Sequence, residues 1–172
     1  MDVLTCDLPK SSALHSNVKS AYFTDSYSAA LRNPEASIIS IFFAVFGHHP
    51  KWMKLALVLR NKAVAPFGLR SGKSSDIFNP QIKEHYMVGE KIGRWPIYHL
   101  TDNELVAGLD DKHLNFRLSI FKSTEGGGTK VIVSTVCDVH NIFGKVYLFF
   151  VVPFHKWGVR KIIQNAVIHE RI

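Results

Sequence analysis

The second half of the chain alternates between apolar and polar residues in short runs that are separated by turn residues. In the clearest run, the apolar side chains of Leu114, Phe116, Leu118 and Ile120 alternate with polar ones. A period of two puts one set of side chains on one face of a strand, so this run predicts a half-buried strand. The same pattern predicts strands at 85–92, 95–100, 104–109, 113–123 and 129–140.

The first half of the chain carries one strand pattern, at 18–27, followed by helical patterns. The sequence Asn33-Pro34-Glu35 is a helix start signal, with Asn33 as the N-cap and Pro34 in the first turn. It predicts a helix over 36–46 that Gly47 ends. A second helix is predicted from Pro50 to the Pro-Phe-Gly stop at 66–68, and the Gly- and Ser-containing stretch 69–79 reads as a loop. The apolar stripe of this second helix consists of Trp52, Leu55, Leu59 and Val64.

The C-terminal stretch 142–172 predicts one long helix that is apolar over much of its surface. Pro153 removes a helix hydrogen bond, so we expect a kink there. The element order is therefore a strand, two helices, a meander of about five strands and a long helix, which is typical of the α+β class. We expect one domain over 1–172, with 1–17 as a polar arm.

Composition and charge narrow the function classes only a little. The 172 residues suit one folded domain, and 21 basic against 14 acidic residues give a formal charge of +7. This excess favours anionic partners, but the basic residues are scattered, so it also fits simple solubility. The first 17 residues lack a signal-peptide pattern, and the apolar run 146–154 is too short to span a membrane. We therefore predict a cytoplasmic protein.

The ionisable residues Asp110, Asp111 and His113, with Glu104 nearby in sequence, form the best polar constellation. One hypothesis makes an aspartate a general base or the group that orients His113. The favoured interpretation is structural: acids in such a turn cap backbone amides or pair with a base such as Arg117.

Motifs for metal, nucleotide and covalent chemistry are missing from the sequence. His48-His49 has no third ligand at a suitable spacing, and Cys6 and Cys137 form no ligand pair, so no metal site is predicted. There is also no Gly-rich dinucleotide fingerprint, P-loop or nucleophile elbow, so we expect no cofactor.

Several motifs resemble one known group of proteins over roughly residues 8 to 168. They are Leu8-Pro9, Asp25-Ser26-Tyr27, Pro50-Lys51-Trp52, Leu59-Arg60-Asn61, Pro66-Phe67-Gly68-Leu69, the central Gly108-Leu109-Asp110-Asp111-Lys112-His113-Leu114 with Phe116-Arg117, and Val152-Pro153-Phe154-His155. Together with the element order they resemble an uncharacterised bacterial family in the START-like (SRPBCC) superfamily. The resemblance implies a helix-grip fold, in which a curved antiparallel sheet wraps around the C-terminal helix with a cavity between them.

Our leading hypothesis from the sequence is a module that binds a small apolar or amphipathic molecule in that cavity. Apolar walls are expected from Phe116, Leu118, Phe150 and Phe154, and polar anchors from Arg117 and His155.

Two alternatives belong to other classes. One is a cyclase, hydrolase or isomerase that uses Asp110, Asp111 and His113 at the cavity mouth. The other is a peripheral membrane or protein-partner module in which basic residues of the last helix face anionic lipid; these are Lys145, Lys156, Arg160 and Lys161. A nucleic-acid partner is disfavoured, because no binding motif or basic stripe with interleaved aromatics is present. The oligomeric state stays open.

Overall fold

A computed structural model describes residues 2–48, 58, 83, 85–124 and 127–172 of the chain. The described part forms an α+β fold, in which a curved seven-stranded antiparallel sheet packs against a long C-terminal helix and a shorter one. This arrangement is consistent with the helix grip expected from the sequence.

The sheet has the order β1-β2-β7-β6-β5-β4-β3, so its last five strands form a meander. The strands are β1 (Leu4–Thr5), β2 (Phe23–Ala30), β3 (Lys91–Ile92), β4 (Trp95–Leu100), β5 (Glu104–Asp110), β6 (Leu114–Ser123) and β7 (Lys130–Val139). The four strands predicted from residue 95 onward are confirmed to within one residue at each end. Strand β2 returns from the N-terminal part of the chain and pairs along its own full length with β7.

Two helices cover one face of the sheet, which we call the inner face. Helix α1 (Ile38–Phe46) packs over β5 and β6, and helix α2 (Ile142–Ile168) packs over β2 and β7. The inner face carries the alternate residues that the sequence pattern predicted, including Leu118, Ile120 and Val133, all of them buried. Among the described residues, no helix is both long enough and apolar enough to cross a membrane.

Two predicted boundaries, at α1 and β3, differ from the structure, and a third predicted segment lies almost wholly outside the described residues. Helix α1 is capped by Ser37, whose side chain accepts from the Ser40 backbone, whereas Asn33 Oδ1 accepts from the Glu35 backbone in the preceding turn. The predicted strand 85–92 is reduced to β3, because Gly89 has a φ of +92° and the Glu90 side chain accepts from the Met87 backbone in a turn. The predicted helix from Pro50 and the loop after it lie outside the described residues, except for Val58, which is helical.

The N-terminal arm (residues 2–21) is more than a polar extension. It begins with β1, continues through a 3₁₀ turn at His15–Lys19 and packs on the outer face of the sheet. The strand predicted over 18–27 therefore begins later, at Phe23, and extends to Ala30 as β2. Leu14 is buried there against Val106 and Val136.

A buried carboxylate holds this arm in place. Glu104 is only 3% exposed and accepts hydrogen bonds from Ser12 Oγ (2.6 Å), the Ala13 backbone (2.8 Å) and Ser119 Oγ (2.6 Å). Buried polar groups are normally satisfied in this way. Glu104 therefore has a structural role on the outer face and is separate from the acids at the end of β5.

Candidate functional site

The described residues bring together one group of polar side chains between the sheet and α2. We call it the inner polar cluster; it consists of Asp25, Tyr27, Thr135, Cys137 and His155. Alternation along β2 puts Asp25 and Tyr27 on the inner face, and alternation along β7 puts Thr135 and Cys137 there. The antiparallel register places Asp25 directly opposite Thr135. Helix α2 then supplies His155 from above the sheet.

Asp25 and His155 form the central contact of the cluster. His155 Nε2 lies 3.4 Å from Asp25 Oδ1, and the two side chains are 20% and 6% exposed. This distance is at the long end of the hydrogen-bond range. The imidazole also packs edge-on against Phe23, with ring centroids 5.7 Å apart. Phe23 and Asp25, which lie on the same face of β2, therefore both contact the imidazole.

Two buried oxygens of the cluster have no hydrogen-bond partner among the described residues. They are Asp25 Oδ2 and Thr135 Oγ1, on the two residues that face each other across β2 and β7. An unpaired buried polar group costs about 1–3 kcal/mol, so it is uncommon in native proteins and calls for an explanation. Two such atoms on paired residues mark this part of the inner face as chemically unusual.

The neighbouring Tyr27 and Cys137 are held in their neutral forms. Burial, together with the nearby charge of Asp25, raises the pKa of Tyr27 to about 12. Burial, with the charges of Asp25 and Asp138, likewise raises the pKa of Cys137 to about 12. A thiolate is the reactive form of cysteine, so Cys137 is not poised as a nucleophile. Both side chains act as walls of the cluster.

The neutral, buried state of the Cys137 thiol predicts that it resists alkylation. Because its pKa is far above neutrality, iodoacetamide applied to the folded protein at about pH 8 should leave Cys137 unmodified. Cys6 is less buried and its pKa is raised by a smaller amount, so it should react first. Mass spectrometry of peptides measures both sites, and protein unfolded in urea is the control in which both react. Equal labelling of the two folded-state thiols would contradict the assignment.

The acids singled out in the sequence lie elsewhere, at the turn between β5 and β6. On the outer face, Asp110 Oδ1 lies 2.7 Å from Arg117 and Asp110 Oδ2 accepts from Tyr98 at 2.8 Å. Burial acts to raise the pKa of Asp110, but these hydrogen bonds outweigh it and the net pKa is below the ordinary value. Asp111 caps the His113 backbone, and His113 Nδ1 lies 3.1 Å from Asn141 Oδ1. These contacts, a cation pair for Asp110 and a backbone cap for Asp111, are of the kind that the structural interpretation predicts.

The residues predicted to bind a ligand are divided among three places. Leu118 and Phe116 lie on the inner face, and Phe116 packs against Trp95 with a centroid distance of 5.8 Å. Arg117 lies on the outer face, where its guanidinium stacks 3.7 Å above the Tyr98 ring, because neighbouring residues of a strand point to opposite sides. Phe150 and Phe154 lie on the exposed side of α2, away from the buried residues of that helix. Of the two expected polar anchors, only His155 joins the inner polar cluster.

Aromatic side chains fill much of the space between α1 and the sheet. Phe42 and Phe46 pack edge-on against Trp95, with centroid distances of 6.3 and 6.1 Å, and Trp95 continues to Phe116. A cavity of about 250 Å³ lies instead near the end of α2, where Arg32 and Glu170 form a 2.8 Å ion pair. No group of three His, Cys, Asp or Glu residues in the described ranges could hold a metal ion.

Fold and cluster together define a class: an α+β domain in which a curved antiparallel sheet holds its C-terminal helix over a buried polar group. A family described as a protein of unknown function (DUF2867) matches residues 17–162. The chain belongs to this family. No curated protein and no solved structure gives a significant match.

Proposed function

We propose that this domain binds a small amphipathic molecule at the inner polar cluster. The observation that carries the proposal is the presence of two buried oxygens without partners among the described residues, Asp25 Oδ2 and Thr135 Oγ1, on residues that pair across β2 and β7. A ligand group bonded to both would offset the cost of burying them. Apolar side chains next to the cluster, Phe23 and Phe116, suit the hydrocarbon part of such a molecule.

The chemistry of the two oxygens selects the polar group of the ligand. An ionised carboxylate only accepts hydrogen bonds, whereas a threonine hydroxyl both donates and accepts. The group that fits is therefore a donor, an amine or a hydroxyl, and an anionic head is disfavoured beside Asp25. The resemblance to bacterial START-like domains supports a small apolar or amphipathic ligand without specifying its polar group, and a cytoplasmic location stays a prediction.

Three probes with the same alkyl chain test the proposal: octylamine, 1-octanol and octanoate. We expect the folded chain to bind the amine and the alcohol more tightly than the carboxylate, by at least about tenfold. Asp25→Asn should remove most of the preference for the amine, and Thr135→Val should weaken binding of the alcohol. Isothermal titration calorimetry measures each affinity, and native mass spectra of protein purified without detergent test for a ligand already carried.

Matched variants control for effects on the fold. Asp102→Asn changes an exposed aspartate, and Thr24→Val changes an exposed threonine next to Asp25 but on the other face of β2. Neither should alter any affinity. The proposal fails if no probe binds and no adduct appears in the native spectra, or if Asp25→Asn and Thr135→Val bind all three probes like the parent chain.

The enzyme alternative with Asp110, Asp111 and His113 has less support. Both carboxylate oxygens of Asp110 are engaged by Arg117 and Tyr98, and the Asp111 side chain caps the backbone of its own turn. A general base needs a lone pair within reach of a substrate proton. The inner polar cluster, rather than this turn, is therefore where the chemistry of the domain is proposed to lie.

A further inference from the structure

We propose that the exposed side of α2 docks on an anionic phospholipid bilayer. This side carries six large apolar residues that we call the α2 stripe: Ile142, Val146, Phe149, Phe150, Phe154 and Trp157. Phe149 is 74% exposed and Phe154 is 75% exposed. Contiguous exposed apolar surface of this kind marks an interaction site.

The α2 stripe is separate from the residues that hold the helix to the sheet. Its members follow one another at intervals of three and four, apart from the adjacent pair Phe149 and Phe150, and at about 100° per residue all six fall on one side of an α-helix. The core contacts of α2 come from the other side, through residues such as Leu148, Val159 and Ile163. The core contacts among the described residues therefore do not account for the exposed phenylalanines of the stripe.

The charge of α2 identifies the partner. From Ile142 to Ile168 the helix contains four lysines and arginines and no aspartate or glutamate. All four basic residues are exposed, and they accompany the stripe along its length: Lys145, Lys156, Arg160 and Lys161. Helices that bind in the interface of an anionic bilayer combine these two features: aromatic residues that enter the apolar region and basic residues that contact the anionic headgroups.

The same charges argue against the docking of a second copy on this surface. Two α2 stripes placed face to face would bring two sets of four cations together without an acidic residue from either helix. A bilayer that contains anionic lipid supplies both the apolar region for the phenylalanines and the negative charge for the lysines. Tyr22, which is 54% exposed and lies near Lys145, extends the surface beyond α2.

Sedimentation of the full chain with lipid vesicles tests this proposal. We expect binding to phosphatidylcholine vesicles that contain phosphatidylglycerol, weak binding to pure phosphatidylcholine, and loss of binding at high salt. The double variant Phe149→Ser/Phe154→Ser should bind at least about tenfold more weakly. The double variant Lys145→Gln/Lys156→Gln should lose about tenfold or more, with the salt dependence reduced.

Two matched variants distinguish docking through α2 from nonspecific adsorption by exposed apolar or basic residues elsewhere on the surface. Met87→Ser/Val88→Ser removes exposed apolar residues in the turn before β3, and Lys91→Gln/Lys130→Gln removes two exposed lysines from strands. Both should bind vesicles like the parent chain. All four double variants change exposed residues, so circular dichroism should show unchanged melting temperatures. Asp25→Asn should also leave vesicle binding unchanged, which keeps this result distinct from the proposed ligand site.

Three outcomes would overturn the proposal. The first is that the parent chain does not sediment with anionic vesicles at low salt. The second is that the stripe variants bind as well as the parent chain. The third is that analytical ultracentrifugation detects an oligomer that Phe149→Ser/Phe154→Ser dissociates while vesicles stay unbound, which would make a second copy the partner.

Discussion

Replacing Glu104 by alanine is expected to lower the free energy of unfolding by about 3–5 kcal/mol. The buried carboxylate accepts from Ser12 Oγ, the Ala13 backbone and Ser119 Oγ, and its removal leaves all three donors without it. Ser12 and Ser119 are buried, so their hydroxyls cannot easily turn to water instead. Each lost bond to a charged acceptor costs about 1.5–3 kcal/mol, although such losses do not add fully. The substitution also leaves a void beneath the N-terminal arm.

Urea unfolding followed by circular dichroism measures this loss, and hydrogen exchange locates it. The amide of Ala13 should exchange much faster in Glu104→Ala, because its acceptor is gone. Glu104→Gln keeps one acceptor oxygen and should cost less, and the exposed neighbour Asp102→Ala serves as the control with little effect. A loss below about 1 kcal/mol in Glu104→Ala would show that the arm is not held by this carboxylate.

The second large effect is expected at Gly144, in the first turn of α2. An alanine Cβ there would lie far inside van der Waals distance of the His113 backbone carbonyl, and 2.9 Å from Val139 Cγ1. Helix propensity alone favours alanine over glycine by about 1 kcal/mol. Overpacking against a backbone that cannot move aside costs about 1–3 kcal/mol or more, so we expect a net loss of about 2 kcal/mol.

Whether Gly144→Ala lowers or raises the stability of the fold is the result that tests the packing of α2. Thermal unfolding of Gly144→Ala should show a lower melting temperature, whereas Gly128→Ala, with no atom within 4 Å of the added Cβ, should be nearly neutral. The His113 carbonyl also accepts from the His140 backbone at 2.9 Å, so a shift of this carbonyl would disturb the end of β7. A raised melting temperature in Gly144→Ala would mean that α2 is free to move away from the sheet.

Much of the meander could be predicted from sequence because the apolar residues of its longest strands recur with a period of two. Strands β6 and β7 each have one inward-facing set of residues, and alternation alone identifies it. The cap of α1 was misplaced because both Asn33 and Ser37 are good capping residues, and local chemistry does not decide between them. The helical signal of α2 was equally clear, but its apolar residues surround the helix, so periodicity did not reveal that Phe150 and Phe154 face outward.

The inner polar cluster was predicted only in part. His155 was selected from its position after Pro153, but its contact Asp25 lies 130 residues away along the chain. That contact depends on the pairing of β2 with β7 and on the placement of α2, which no local pattern encodes. One local signal was available: Asp25 interrupts the inward-facing series Phe23, Asp25, Tyr27 of a strand with a carboxylate. A charged residue at an inward position is rare enough to indicate a site or a buried pair.

The pairing of β2 with β7 has a consequence for the order in which this protein folds. Neighbours in the meander are close in sequence and can pair early, whereas β2 must wait for the far end of the chain, and closing so large a loop is slow. Asp25, Thr135 and His155 meet only after that last closure. A nascent chain on the ribosome is therefore expected to form the meander first, and the polar cluster can assemble only after the C-terminal helix has emerged.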